Sequence, residues 1–350
     1  MKSGIVEIAG RKVGKGHPCF IVAEMSANHN QSFDDAVQIL HAAKEAGVDA
    51  IKLQTYTADT LTIPCNNEYF QIKEGPWAGR TLYDLYQEAY TPWEWQPKLK
   101  KIADDIGLIL FSTPFDDSAV DFLEKMNVPC YKIASFELVD LPLIQKAAST
   151  GKPLIMSTGM ANLSEIEDAV NAARDAGSGD IILLKCTSAY PAPPEDMNLA
   201  TIPHMADMFH LPLGLSDHTL GIAASIAAVS LGAVMIEKHF TLSRGEKGPD
   251  SFFSIEPEEL KQMVREVRTA EKMVGSVSYD ISEKENASRI FRRSIFVVKS
   301  MKKGEEFDLQ NLRSIRPANG LAVKYLHEII GKKASRDIEM GTPLDWIHIS

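Results

Sequence analysis

Short runs of β-branched and apolar residues alternate along this chain with longer stretches whose apolar positions recur every three or four residues. The runs predict strands at Phe20–Glu24, Ala50–Gln54, Leu108–Ser112, Cys130–Ala134, Pro153–Ser157, Ile181–Cys186, Leu213–Ser216 and Val234–His239. Helical periodicity falls between them, at Asp34–Ala46, Trp93–Ile106, Ser118–Met126, Ser164–Ala176 and Ala223–Leu231, with another helix near Glu258–Val274. The Ala-rich stretch from His41 ends on Gly47, a residue that readily takes the left-handed conformation closing a helix. A hairpin precedes the first of these strands: Ile5–Ile8, a turn at Gly10, then Lys12-Val13.

Eight successive β/α alternations predict a closed (β/α)8 TIM barrel, with an open eight-stranded parallel sheet as the alternative. No G-x-G-x-x-G follows the first strand, which removes the usual reason to prefer a dinucleotide fold. The pattern breaks near Val274–Ala287. The predicted division is a catalytic barrel with its hairpin over residues 1–276, a linker over 277–289 and a small C-terminal domain over 290–350. In that domain Ser294–Val298 is strand-like, and Lys302-Lys303-Gly304-Glu305 and Glu339-Met340-Gly341-Thr342 are turns of similar composition. Its core is small for independent stability, so it is expected to lean on a barrel, its own or a partner's.

Composition narrows the setting. A formal charge of −10 argues against a sequence-independent nucleic-acid surface, which needs a basic field. No apolar run approaches the roughly 20 residues of a membrane span. The opening Met-Lys-Ser-Gly-Ile-Val-Glu-Ile lacks a signal peptide's apolar segment, and Cys19, Cys65, Cys130 and Cys186 form no C-x-x-C pair. A cytoplasmic protein with free thiols is expected.

Strand residues of a barrel alternate between its interior and the helix layer. On strand two, Ile51 and Leu53 suit the helix layer and leave Lys52 and Gln54 pointing inward. The same parity turns Lys132, Gly214, Ser216, His218, Glu237 and His239 inward, near the carboxyl ends of their strands. Glu24 and Thr113 join this ring. Buried unpaired charge is costly, so these groups must pair with one another, hold a metal or bind a charged ligand. Two imidazoles one β/α unit apart suit Mn²⁺, Co²⁺, Fe²⁺ or Zn²⁺, with other positions left to water or substrate. Lys52 and Lys132 suit either a phosphate or carboxylate, or a structural network with Glu24 and Glu237. Alone, Asp250 reads as a turn aspartate and Asn28-His29-Asn30 as an ordinary loop. The set would serve an aldol-type condensation with an enol phosphate or a metal-assisted aldolase; a Schiff-base aldolase using Lys132 or Lys52 is a third candidate.

Ordered segments add a resemblance. Ile21-Val22-Ala23-Glu24, Asn28-His29-Asn30, Ile51-Lys52-Leu53-Gln54-Thr55, Phe111-Ser112-Thr113-Pro114-Phe115, Tyr131-Lys132-Ile133-Ala134-Ser135, Gly214-Leu215-Ser216-Asp217-His218-Thr219, Glu237-Lys238-His239 and Gly248-Pro249-Asp250 together resemble the sialic acid synthase family, the phosphoenolpyruvate-dependent nonulosonate synthases. Ala23–Asn30 and Gly79–Tyr86 resemble its pseudaminic-acid-forming branch. The piece carrying Asn311-Leu312, Arg316-Pro317 and Ile330-Gly331-Lys332-Lys333 resembles that family's antifreeze-like (SAF) domain.

The resemblance implies condensation of phosphoenolpyruvate (PEP) and water with 2,4-diacetamido-2,4,6-trideoxy-L-altrose. It implies a divalent metal on His218 and His239, Mn²⁺ first, with Mg²⁺ or Co²⁺ as alternatives. PEP would lie on Lys52, Thr113, Lys132, Ser135, Ser188 and Ser216. The sugar would meet Gln54, Tyr190, Asp250 and, across a domain-swapped homodimer, the partner subunit's Arg316. Glu24 is expected to handle water or its proton, and Glu237 to act beside the metal. Ser188 and Lys238 depart from the family's usual Asn and Arg, which bears on sugar identity. An N-acetylneuraminate or legionaminate synthase, and a non-catalytic carbohydrate-binding protein, are the competing readings.

Overall fold

Strand runs this continuously apolar need cover on both faces. In the computed structural model, which describes residues 4–246 and 248–350, the chain provides it by closing its sheet. β1 (Ile5–Ile8) and β2 (Arg11–Gly14) form an antiparallel hairpin. β3 (Phe20–Glu24), β4 (Ala50–Thr55), β5 (Ile109–Pro114), β6 (Tyr131–Ile133), β7 (Leu154–Ser157), β8 (Ile181–Cys186), β9 (Leu213–Asp217) and β10 (Met235–His239) form a parallel closed barrel. Pairing of β10 with β3 along Met235↔Phe20 to His239↔Glu24 seals the ring and overturns the open-sheet alternative.

The helix layer comprises α1 (Phe33–Ala46), α2 (Ala58–Leu61), α3 (Leu82–Ala89), α4 (Gln96–Asp105), α5 (Asp117–Lys125), α6 (Leu141–Ala148), α7 (Leu163–Asp175), α8 (Thr201–Phe209), α9 (Ala223–Ser230) and α10 (Pro257–Val274). Ser32 caps α1 by accepting from the Asp35 N–H, and Gly47 closes it at φ 85°. α4 starts later than its periodicity suggests, because 93–95 form a turn ahead of Pro97. α6 and α8 escaped the sequence reading; each carries a proline near its start, Pro142 and Pro203. Outward strand residues such as Ile51, Tyr131, Leu215 and Ile236 share one continuous apolar core with Leu40, Leu99, Leu123 and Val267 of the helices. Each such side chain contributes roughly 1.5–3 kcal/mol on burial. Asp49 binds hairpin, barrel and last helix together through Arg11 (2.7 Å), the Ile21 N–H (2.9 Å) and Arg268 (3.0 Å).

The chain divides into two units, Met1–Gly275 and Ser276–Ser350. The segment expected as linker carries structure: α11 (Glu283–Ser288) starts on a reciprocal cap between Ser282 and Glu285. β11 (Ser294–Val297) and β12 (Leu312–Ile315) pair antiparallel, and α12 (Leu326–Ile329) follows. Ile295, Val297, Phe307, Leu312, Ile329 and Leu344 form the core of this unit. Gly304 and Gly341, at φ 87° and 88°, make its two similar turns. Among the described residues, no helix is long and apolar enough to cross a membrane, and all four cysteines are free.

Candidate active site

Parallel register turns paired residues to the same face, so Glu24 beside Lys52, Gln54 beside Thr113 and Ser216 beside Glu237 all look into the barrel. A cavity of about 400 Å³ opens there. Of the residues picked from the sequence, Lys52, Gln54, Lys132, Ser135, Tyr190, Ser216, His218, Glu237, His239 and Asp250 line it. Glu24, Thr113 and Ser188 do not. Glu24 is wholly buried behind Lys52, with which it makes a close ion pair, and accepts from Gln54 Nε2 at 3.0 Å. Thr113 Oγ1 accepts from Lys52 Nζ at 3.0 Å, and Ser188 shares a 2.8 Å hydroxyl contact with Ser135. These three position lining groups. Arg316 belongs to the second unit, where it is exposed just after β12.

Burial sets the protonation of the carboxylates. It pushes Glu24 up to about 7, against the pull of Lys52. Burial acts the same way on Glu237, but Lys132 and Lys52 outweigh it and hold that carboxyl below its usual range. Lys132 stands 3.3 Å from Glu237 Oε1, which also accepts from Ser216 Oγ at 3.2 Å. Neighbouring acids driven apart in this way can hold one proton and one charge at neutral pH. Burial lowers the Lys132 ammonium, whereas Lys52 is raised because Glu237 and Glu24 overcome the same desolvation.

The imidazoles of His218 and His239 lie with ring centroids 5.4 Å apart, and Tyr190 packs 4.4 Å from His218. His218 Nδ1 sits 2.9 Å from the Thr187 carbonyl oxygen, to which it donates, and its Nε2 stands 3.5 Å from Ser216 Oγ on the cavity lining. His239 Nδ1 and Glu237 Oε2 are buried without a partner among the described residues. Such orphaned acceptors beside a second imidazole fit a divalent cation. Among the described residues no group of three or more His, Cys, Asp and Glu is placed to hold a metal ion, so the two imidazoles would be the protein's ligands.

Sequence reasoning missed Glu137. It follows β6 in a 3-10 turn over Ser135–Glu137, where strand alternation gives no guide. It lines the cavity, its Oε2 is buried without a partner among the described residues, and burial pushes it up to about 7. Cys186, Ser157, Trp77 and Tyr56 also line the cavity unforeseen. Lys238 requires a correction. It faces away from the cavity, in an ion pair with Asp217 at 2.9 Å in the helix layer, so its link to sugar identity has no contact behind it. The Asn28-His29 loop is a brace: Asn28 Nδ2 donates to the Phe240 carbonyl (2.9 Å), and His29 Nε2 meets Thr91 Oγ1 (3.0 Å). Burial lowers His29 to about 4.

A model of the NeuB family matches residues 39–279, and a SAF domain model matches residues 292–350. The chain belongs to the NeuB family. A Campylobacter jejuni protein named pseudaminic acid synthase is 45% identical over 325 residues, spanning 93% of this chain and 95% of its own length. An N,N'-diacetyllegionaminic acid synthase of Legionella pneumophila is 38% identical over 341 residues, spanning 96% of each. The crystal structure of N-acetylneuraminic acid synthetase from Leptospira borgpetersenii, in complex with citrate, superposes with a TM-score of 0.73 at 31% identity, covering 81% of this chain and 94% of that one. Synthases on both sides of this NeuB-family chain make it an enzyme with small-molecule substrates.

Proposed function

We propose that this NeuB-family enzyme joins PEP and water to 2,4-diacetamido-2,4,6-trideoxy-L-altrose, giving pseudaminic acid and inorganic phosphate. The observation that carries the reading is the meeting of Lys52, Lys132, Glu237, His218 and His239 in one barrel-mouth cavity. The 45% identity to a pseudaminic acid synthase over nearly the whole chain supports the choice of sugar.

In this reading Lys52 and Lys132 neutralise the phosphate and carboxylate of PEP, with Ser135 and Ser216 donating hydrogen bonds and Thr113 and Ser188 fixing their neighbours. PEP C3 bonds to the sugar's aldehyde carbon, and the aldehyde oxygen takes a proton to become a hydroxyl. Water adds at the cationic C2 and gives up one proton, and the resulting hydroxyl closes to the C2 carbonyl as the C2–O bond to phosphate breaks, its proton leaving with the phosphate. Glu24, held near 7 behind Lys52, acts on a proton through Lys52, with Gln54 holding its other oxygen. Glu237 and Glu137 face the cavity and are the direct candidates for the water's proton. Gln54, Tyr190 and Asp250 hold the sugar. A divalent cation on His218 and His239, Mn²⁺ foremost, would supply Lewis acidity toward the aldehyde. The reading includes a cytoplasmic homodimer in which the partner subunit's Arg316 completes the sugar site; sedimentation of wild type and of Arg316→Ala, with activity, tests that part.

A second reading, legionaminate synthesis, draws on the 38% identity to the Legionella enzyme. Incubation with PEP, Mn²⁺ and each candidate sugar, following phosphate release, decides between them. Turnover with the trideoxy-altrose is expected. Turnover with N-acetylmannosamine or the legionaminate precursor alone would overturn the substrate, and none with any sugar would overturn the reaction.

A further inference from the structure

The chain between β4 and α4 runs far longer than a barrel connection needs, and it builds one wall of the cavity. Leu61 ends α2, Ile72 and Trp77 come from the loop, and Leu85 and Tyr86 come from α3; all line the site. Phe115, just past β5, continues the wall, and Tyr56 joins it edge-on to Tyr86 (5.8 Å) and Phe115 (5.1 Å). None of these side chains carries a charge. Lys52, Lys132, Glu237, His218 and His239 sit on the strands or at their ends instead, and Glu137 and Asp250 come from turns beyond them. The cavity is therefore polarised, with ammonium, carboxylate and imidazole groups on its floor and an apolar wall mostly from one excursion.

Trp77 connects the two regions. Its Nε1 donates to the Pro249 carbonyl at 3.0 Å, one residue before Asp250, and its ring lies 6.0 Å from Tyr190, which packs on His218. The loop is closed on itself by backbone bonds between Ile72 and Arg80 and between Gly79 and Ile72, both 2.9 Å, so the Ile72 side chain is free to serve the cavity.

We infer that the wall built by Leu61, Ile72, Trp77, Leu85 and Tyr86 of the excursion, with Phe115 from past β5, selects an open-chain sugar aldehyde whose far terminus is a deoxy methyl carbon, with Trp77 as the residue that places the wall. This rests on the reaction proposed above and adds the determinant of its substrate. The aldehyde end belongs at the imidazoles, where the polar groups are. The opposite end of a six-carbon chain then meets apolar side chains. A methyl packed on Leu61, Ile72, Leu85 and Phe115 gains burial, and a hydroxyl there loses water with only the Tyr56 and Tyr86 phenols of this wall to answer it. Discrimination by an apolar pocket against an added hydroxyl is about 100-fold.

The test compares kcat/KM for 2,4-diacetamido-2,4,6-trideoxy-L-altrose and for its 6-hydroxy counterpart, in wild type, Ile72→Ser and Trp77→Ala, by phosphate release. Wild type is expected to favour the deoxy sugar by 10- to 100-fold. Ile72→Ser should lower that ratio at least several-fold by losing on the deoxy sugar and gaining on the hydroxylated one. Trp77→Ala should lower it through a higher KM for the deoxy sugar. Calorimetric PEP binding reports the charged floor separately and identifies a variant that has misfolded; Ile72→Ser, an exchange in a surface loop, then carries the decision. Equal kcat/KM for the two sugars in wild type, or an unchanged ratio in a folded Ile72→Ser, overturns the wall while leaving the reaction standing. Absence of phosphate release with either sugar or any other aldehyde brings down both.

Discussion

Replacing Lys238 by methionine separates packing from substrate choice. Lys238 Nζ lies 2.9 Å from Asp217 Oδ2 and donates to the Thr219 carbonyl at 2.7 Å, in a layer where the two side chains are 2% and 0% exposed. Removing one partner of a buried pair costs about 3–5 kcal/mol, because the survivor keeps its charge without compensation. Here Asp217 retains three donors, the Thr219 N–H (2.9 Å), the Thr219 hydroxyl (2.8 Å) and the Ser225 hydroxyl (2.7 Å), so the lower end, about 3 kcal/mol, is expected. For a domain of this size each kcal/mol moves Tm by roughly 2–4 °C, giving a fall of roughly 6–12 °C by differential scanning calorimetry. Adding Asp217→Asn, which keeps an acceptor and removes the charge, should restore part of the loss. The kcat/KM ratio between sugars, measured well below Tm, should stay put. An unchanged Tm, or a changed sugar ratio at unchanged Tm, would refute this account of Lys238.

Glu137 supplies a pH test. Its folded pKa, about 7, lies above the unfolded carboxyl's, so the folded state binds the proton more tightly. The stability it contributes is complete below the unfolded value and lost as pH rises through about 7; Glu137→Gln should therefore gain on wild type between pH 5 and 9, by up to about 3 kcal/mol in urea melts, and a pH-independent difference would contradict it. A methyl at position 159 would collide with Ser188 Oγ and crowd Ser135 and Cys186, so Gly159→Ala should break the serine pair and lower kcat/KM for PEP about tenfold or more, which steady-state kinetics would show. His218→Ala with His239→Ala should abolish stoichiometric Mn²⁺ binding by equilibrium dialysis and phosphate release together, and full activity after exhaustive chelation would oppose the metal role.

The strand runs and their parity were readable directly, because alternation is a property of adjacent residues. From them followed the barrel and the inward Lys52, Lys132, Glu237, His218 and His239. Glu137 was not readable: it lies past its strand, in a turn with no period to follow. The ion pairs of Lys52 with Glu24 and Lys132 with Glu237 were one of the two readings the strand parity offered; that Glu24 is closed off from the cavity and that Lys238 answers Asp217 were not readable, since such partners meet only across neighbouring strands.

The sequence alone determined which side chains each strand could offer to the interior and which to the helices, since the backbone pleat assigns them locally. Tertiary structure decided which of the offered groups reach open space and which are sealed behind another. It also decided that residues 56–89 turn back as an apolar wall against this cavity. Those outcomes depend on the ring closing between β3 and β10 and on distant segments excluding water from one another, distances that no local pattern encodes.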